Sequence, residues 1–467
     1  MVGWTVVLVA VARSYFLEFR FGRYDLGNMV QAVWSTTQGR PLETTFATGE
    51  QVARLAGHAD PVLVLLAPFW MLAPSPLTLA AVQILACALG ALPVFWLARR
   101  HLGSEQAAGF LALSYLSYPW VAWNALDAVH PVTLAVPLLL YAIWFLDSHR
   151  IWAFTACAVF VAASGELMGL PLASLGIWYW LARGRRRAGL TIAAAGLAWS
   201  TIAVKVVVPY FQGGDSPFYS YYESIGGSPE GVLQTLVTDP AEVVGALVTG
   251  PDIAYLVALA VPLALLFLLS PGLAACAAPQ LAANGLSSIT AALDPRSHHV
   301  SAIVPFLITA SVLGVARLPS ARRVQAAAAV LVLCVGSSLV LGPWPGLPAR
   351  DRLWSDDIPS AENVAALRVA VARIPDGVSV AATNKAGSHL SARRHLFSIP
   401  RVEKADWVVI DAHDPWVPLP PRKPIRSTWG RQDPALLERV KLQLDRSSDW
   451  HRVSASHGVY VFRRLRS

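Results

Sequence analysis

Charge is scarce in this sequence: Asp, Glu, Lys and Arg supply only 14% of its 467 residues, while apolar residues supply 55%. Soluble domains carry about a quarter charged residues, so a wholly soluble globular protein is excluded and lipid is the expected main solvent. Cysteine is scarcer still. Its four copies, Cys87, Cys157, Cys276 and Cys334, fall inside apolar runs with no CxxC or Cys/His spacing. That pattern excludes a zinc framework and a disulfide scaffold. The first apolar run, Val2 to about Leu17, lacks a basic flank and a small-residue cleavage site. It reads as a membrane helix, not a signal peptide. The sequence contains no internal repeat and no low-complexity tract.

The net charge of +8 would suggest nucleic acid in a soluble protein. Here the surplus sits in short clusters between apolar runs, where it sets topology, and no nucleic-acid partner is expected. About 20 apolar residues at helical rise cross a bilayer. Spans are therefore expected near 1–17, 76–98, 105–122, 131–147, 151–166, 168–183, 188–209, 247–270, 273–292, 299–316 and 324–342. Pro61–Leu72 is too short for a crossing and reads as a re-entrant or interfacial piece. The expected architecture is a polytopic α-helical membrane protein of about eleven spans.

Arg99-Arg100-His101, His149-Arg150, Arg183 with Arg185-Arg186-Arg187, and Arg317 with Arg322-Arg323 all follow even-numbered spans. The positive-inside rule puts those loops in the cytoplasm. The alternate loops are then external: a large first loop (18–75), then 123–130, the turn at Glu166, 210–246 and 293–298. Two domains are expected, a multi-span part (1–342) and a small external α/β part (343–467). In the latter, Ser360–Ile374 and Pro434–Leu444 have helical patterns opened by N-capping Ser360 and Asp433. Val378–Ala382, Trp407–Asp411 and Val459–Arg463 have strand composition, and Pro415–Pro424 reads as a loop.

This topology sorts the chemically capable residues to one side. The first external loop carries Arg23, Asp25, Gln31, His58 and Asp60. The second carries Asp127 and His130, the third Glu166, and the last Arg296 and His298. Each has an ordinary reading alone: a helix cap, a turn residue, an Arg296–Asp294 pair. Glu166 between two apolar runs needs a partner, and the convergence of all of them favours a site. Such a set suits transfer of a group from a lipid-phosphate donor. Asp25 would act as general base on an acceptor hydroxyl, with arginine holding the departing phosphate. The remaining carboxylates and histidines would complete the acceptor pocket or hold a divalent metal.

The run Tyr24-Asp25-Leu26-Gly27-Asn28-Met29-Val30-Gln31 resembles the first-loop F/Y-D-x-G-x-x-x-Q motif of the DUF2079 membrane-protein family. Gly57-His58-Ala59-Asp60-Pro61, Asp127-Ala128-Val129-His130-Pro131 and Arg296-Ser297-His298-His299 ahead of Pro305 follow in the family's order. That family is similar to the GT-C superfamily of polyprenyl-phosphate-sugar glycosyltransferases. The resemblance implies a catalytic Asp25, with Glu166 as the second catalytic carboxylate. It implies substrate binding by Arg23, Gln31, His58, Asp60, Asp127, His130, Arg296 and His298. The donor would be a polyprenyl-phosphate-linked sugar and the acceptor an extracytoplasmic glycan, lipid or protein, reached from the plasma-membrane bilayer. The first loop lacks the paired acidic motif of many GT-C enzymes. Gly165-Glu166-Leu167 also stands where relatives often have Lys-Glu-Asp. No cofactor is therefore expected to be required. A transporter or flippase, and a non-catalytic envelope-assembly protein, are the alternatives.

Overall fold

A computed structural model describes residues 1–347, 349, 358–418 and 430–465; positions 419–424 of the expected Pro-rich loop lie outside them. The chain forms two compact units. One comprises Met1–Val11, Leu55–Val62 and Ala80–Leu353, the other Ala12–Arg54, Leu63–Leu79 and Trp354–Ser467.

The first unit is helical. Among the described residues, three helices are long and apolar enough to cross a bilayer: Pro76–Leu102, Arg186–Gln212 and Ser320–Leu341. Pro240–Leu247 and Gly250–Leu263, bent by 56°, make a fourth if taken as one span. Shorter apolar helices stand where other spans are expected, at Val2–Leu17, Pro131–Asp147, Ile151–Ala162 and Val304–Ala316. The expected spans over 247–292 are broken into short pieces, the helices Gly250–Ala260 and Ala278–Gly285 with one-turn segments between them. Pro251, Pro262, Pro271 and Pro279 explain the breaks, because each removes a backbone N–H and crowds the preceding turn.

Helices Gly169–Arg183 and Arg186–Ile202 form a hairpin that depends on small residues. A Cβ on Gly169 would come 2.0 Å from the Gly196 carbonyl oxygen, and one on Gly176 would come 2.6 Å from that of Gly189. Glycines seven residues apart on both helices thus let the backbones touch, as membrane helices do where lipid supplies no drive to associate. Val332, Leu339 and Val340 stay exposed on Ser320–Leu341, an apolar flank suited to lipid.

One end of this unit is tied by Asp147. Its carboxylate accepts from Arg183 Nη2 at 2.6 Å, lies 3.0 Å from His101 Nε2, and pairs with Arg100 Nε at 3.5 Å. The segments after the expected second, fourth and sixth spans therefore meet at one place.

The second unit is built on a five-stranded sheet. β1 (Glu43–Thr45) and β2 (Gln51–Ala53) form a separate hairpin. β3 (Val380–Ala382), β4 (Leu396–Ser398), β5 (Trp407–Asp411), β8 (Trp450–Ser456) and β9 (Val459–Arg464) form the sheet in the order β4-β3-β5-β9-β8. A second small hairpin pairs β6 (Trp416–Pro418) with β7 (Gly430–Gln432). β3 runs parallel to both β4 and β5, and β9 runs antiparallel to β5 and β8. Alternation along the strands divides the core. Val380, Ala382, Val409 and Val461 pack with Leu367 and Ala370 of helix Ala361–Ala372. Ala381, Val408, Ile410 and Phe462 pack with Leu437, Val440 and Leu444 of helix Pro434–Arg446. This period of two is what a sheet covered on both faces demands. The expected caps are in place: Ser360 Oγ accepts from Asn363 N at 3.2 Å and Asp433 Oδ1 from Leu436 N at 2.9 Å. β4, β8 and the short helix Asn384–His389 have no counterpart in the expectation.

Candidate functional site

The first-loop motif lies in the second unit and divides its labour. Arg23–Gly27 is a single π-helical turn running into helix Asn28–Thr37. Arg23 is fully buried; its Nη2 donates to the carbonyls of Thr45 and Leu396, both at 2.7 Å, and its Nη1 to Ser398 Oγ. Gln31 is buried too. Its Nε2 donates to Thr45 Oγ1 (3.0 Å) and to the carbonyls of Arg393 (3.0 Å) and Arg394 (2.9 Å), and its Oε1 accepts from Thr45 N (3.0 Å). Gly27 is required by close approach, since a Cβ there would lie 2.6 Å from Ser391 Oγ. Arg23 and Gln31, expected to bind substrate, are engaged by protein acceptors in the interior, while Arg23 Nε is buried without an acceptor among the described residues. Asp25 is the exposed ionisable group of this turn.

The other expected residues belong to the first unit, where Glu166 meets His58 and Asp127 meets both His130 and His298. Glu166 lies in the turn between helix Ile151–Ala162 and helix Gly169–Arg183. Its Oε1 is 3.2 Å from His58 Nδ1, and its Oε2 accepts from Ala59 N at 3.1 Å. The two segments are stapled by Val62 N donating to the Ala163 carbonyl at 2.9 Å. Burial pushes the Glu166 carboxyl up, but His58 beside it and the Ala59 N–H outweigh burial and hold it below the usual range. The His58 ring stacks on Phe218 at 4.4 Å. Asp60 is buried two residues on, its N–H donating to the His58 carbonyl at 3.0 Å.

The second group is built on Asp127. Its Oδ2 accepts from the backbone N–H of His298 at 2.6 Å and lies 2.9 Å from His298 Nδ1. Its own carbonyl lies 2.7 Å from His130 Nδ1. A carbonyl only accepts, so His130 Nδ1 donates to the Asp127 carbonyl. The rings stack at 3.7 Å and 13°. Burial raises the Asp127 carboxyl above its usual range, against the opposing pull of His130 and the His298 N–H. Ala128, between the two, is left-handed at φ 42°, a strained conformation for a residue with a Cβ.

Residues not expected from sequence hold this turn. Gln83, fully buried, accepts from His130 N at 2.8 Å and donates to the carbonyls of Ala125 (3.1 Å) and Ala128 (3.0 Å). Thr133 Oγ1 donates to Asn124 Oδ1 (2.6 Å), whose Nδ2 donates to Ser301 Oγ (2.9 Å). A lone amide inside the apolar run 76–98 was the available signal for Gln83. Arg296 forms the pair with Asp294 that its spacing allows, Nη2 to Oδ2 at 2.6 Å and Nε to Oδ1 at 2.9 Å. His299, in the turn ahead of helix Val304–Ala316, is lowered by burial and acted on by His298, Asp127, His130 and His58 together. Those four expected residues therefore share one electrostatic neighbourhood.

Asp127, His130 and His298 each offer a ligand atom, all within 4.8 Å of one another, the one such group among the described residues. Two imidazoles and a carboxylate are the donor types a zinc-like ion takes.

A helical bundle whose ionisable side chains meet in its turns is the build of a polytopic membrane protein. The chain belongs to the DUF2079 family of predicted membrane proteins, which matches residues 16–460. Its fold is similar to that of ArnT from Cupriavidus metallidurans. Against the structure bound to undecaprenyl phosphate the TM-score is 0.51 at 13% identity, covering 100% of this chain and 98% of that one. Against the apo structure the TM-score is 0.50 at 13% identity, covering 99% and 98%. No curated protein matches in sequence.

Proposed function

We propose that the chain is a GT-C-type glycosyltransferase that moves a sugar from a polyprenyl-phosphate carrier to an extracytoplasmic acceptor. The observation that carries this reading is the end-to-end likeness to an ArnT structure bound to undecaprenyl phosphate. About eleven spans, the basic clusters inside and the paired histidines and carboxylates outside complete the topology. The meeting of Arg100, His101 and Arg183 on Asp147 supports that sidedness.

Asp25 is the general base. Within the motif run, Arg23 and Gln31 are engaged in the interior and Asp25 is exposed, as a group that must reach substrate needs to be. It takes the proton from the acceptor hydroxyl as that oxygen attacks the anomeric carbon. In the first unit, Arg296 carries a guanidinium, paired with Asp294, of the kind that binds phosphate. Asp60, Asp127, His130 and His298 belong to the polar lining. No cofactor enters this scheme.

The test is transfer from undecaprenyl-phosphate-linked sugars by purified protein in lipid nanodiscs, comparing wild type with Asp25→Asn. The exposed substitution should leave melting unchanged within about 0.5 kcal/mol and lower turnover by 10²-fold or more, on the order expected for a lost general base. Full turnover in Asp25→Asn would remove Asp25 from the mechanism. Sugar-lipid uptake into vesicles without any covalent product would replace the enzyme with a transporter.

A further inference from the structure

We propose that His58 is the general acid of the reaction, protonating the departing phosphate, with Glu166 as its positioning residue. This rests on the transferase reading and adds to it the group that completes the proton balance. Nothing in the first-loop motif provides for that proton.

The geometry is that of a held imidazole. Glu166 has one oxygen on the Ala59 N–H and the other on His58 Nδ1. An ionised carboxylate can only accept, so Nδ1 carries a proton and Nε2 is the ring nitrogen left to face a ligand. Phe218 lies along the ring face at 4.4 Å, leaving the ring little freedom to turn. The His58 side chain is 41% exposed while that of Glu166 is 17% exposed. The pair thus runs from a covered carboxylate to an imidazole open to ligand. His58 beside it and the Ala59 N–H hold the Glu166 carboxyl below its usual range against the opposing effect of burial. The other titratable groups around the pair do not compete for this role. Tyr222, on the segment that carries Phe218, is pushed up to about 12 by burial and by Glu166, and burial lowers His299 well below its usual range.

The step balances as follows. The bond between the anomeric carbon and the phosphate oxygen breaks, and its electron pair stays on that oxygen. The proton on His58 Nε2 moves to the same oxygen as the charge develops. The acceptor oxygen bonds to the anomeric carbon and its proton passes to the base of the reaction. One proton has then passed from acceptor to lipid phosphate, and exchange with water resets both residues.

The experiment measures release of undecaprenyl phosphate from a panel of undecaprenyl-phosphate-linked hexoses and pentoses by the full chain in nanodiscs. His58→Gln should lower kcat by roughly 10²–10⁴-fold with KM for the donor little changed. Added imidazole should restore part of the turnover of His58→Gly, which also shows that this variant is folded. Glu166→Gln should lower kcat by about 10-fold, again without raising KM, since the acid remains but is no longer oriented. ¹⁵N spectra of labelled histidine should show the neutral His58 protonated on Nδ1, a preference that Glu166→Gln weakens. Wild-type kcat in His58→Gln, a raised KM with kcat intact, or a neutral ring protonated on Nε2 overturns the inference while the transferase stands. A wild type that releases nothing from every donor overturns the transferase reading, and the acid role with it.

Discussion

Arg23 offers a direct test of how the motif turn is held. Replacing it with Gln keeps a polar, unbranched side chain but removes the charge and the fork that reaches Thr45, Leu396 and Ser398 together. Hydrogen bonds from a charged donor contribute about 1.5–3 kcal/mol each, and a stranded buried acceptor costs about 1–3 kcal/mol. Arg23 is 0% exposed, so solvent offers no substitute partner. The three contacts share one side chain and do not add fully, which makes a loss of about 3–5 kcal/mol the reasonable expectation. At about 2–4 °C per kcal/mol for a unit of this size, melting should fall by roughly 10 °C. The assay is thermal unfolding in one detergent, with hydrogen exchange read at Thr45 and at Leu396–Ser398. Arg23→Lys should recover part of the loss, since one ammonium cannot serve all three acceptors. If Arg23→Gln melts with the wild type and instead raises KM for the sugar donor, the interior role is refuted and the arginine binds substrate.

Two further outcomes follow from charges in the first unit. Asp147→Asn leaves Arg183, His101 and Arg100 facing one another without a carboxylate; with these partners part-exposed the loss should be about 2 kcal/mol, read as a lower melting temperature that high salt partly hides. A variant as stable as wild type at low salt would show that the tie is incidental. Glu166 and Asp127 should act on stability with opposite signs in pH. The Glu166 carboxyl is held below its usual 4.5 when folded, so its contribution is complete above that value and is lost as pH falls through the folded one. Asp127 is raised above its usual 3.8, so its contribution is present below 3.8 and is lost as pH rises through the folded value. Melting measured across pH should therefore flatten on the acid side in Glu166→Gln and on the side above 3.8 in Asp127→Asn; slopes that change in the same direction would contradict both assignments.

Several features are legible in the chain alone because they depend on residues near in sequence. Pro131–Asp147 spans the helix expected from hydropathy alone, and Ser360 and Asp433 cap the helices they precede. Val380–Ala382 and Trp407–Asp411 have the branched, apolar composition of strands covered on both faces. β4, Leu396–Ser398, escaped because three residues are too few for a period. β8 escaped because it is largely polar, with no alternation and no fully buried residue. Around 247–292 hydropathy was right about the solvent and silent about continuity, since four prolines break helices without making the segment polar.

The candidate residues divide in the same manner. Their types and the spacing of the motifs are legible in one dimension, which is why Asp25, His58, Asp127, His130, Glu166 and His298 could be named. What each side chain faces depends on contacts far apart in the chain. Arg23 finds Leu396 and Ser398, His58 finds Glu166, and Asp127 finds His298. An arginine in a loop has the same sequence signature whether it reaches a phosphate or a buried carbonyl; only the fold, by removing water from one and not the other, decides which. Hydropathy by itself determined that this is a membrane protein, because partitioning into lipid acts on each segment separately. Tertiary structure decided that Asp25 is exposed while Arg23 and Gln31 are interior, and that Glu166 serves a histidine, because burial and hydrogen-bond satisfaction belong to the packed chain as a whole.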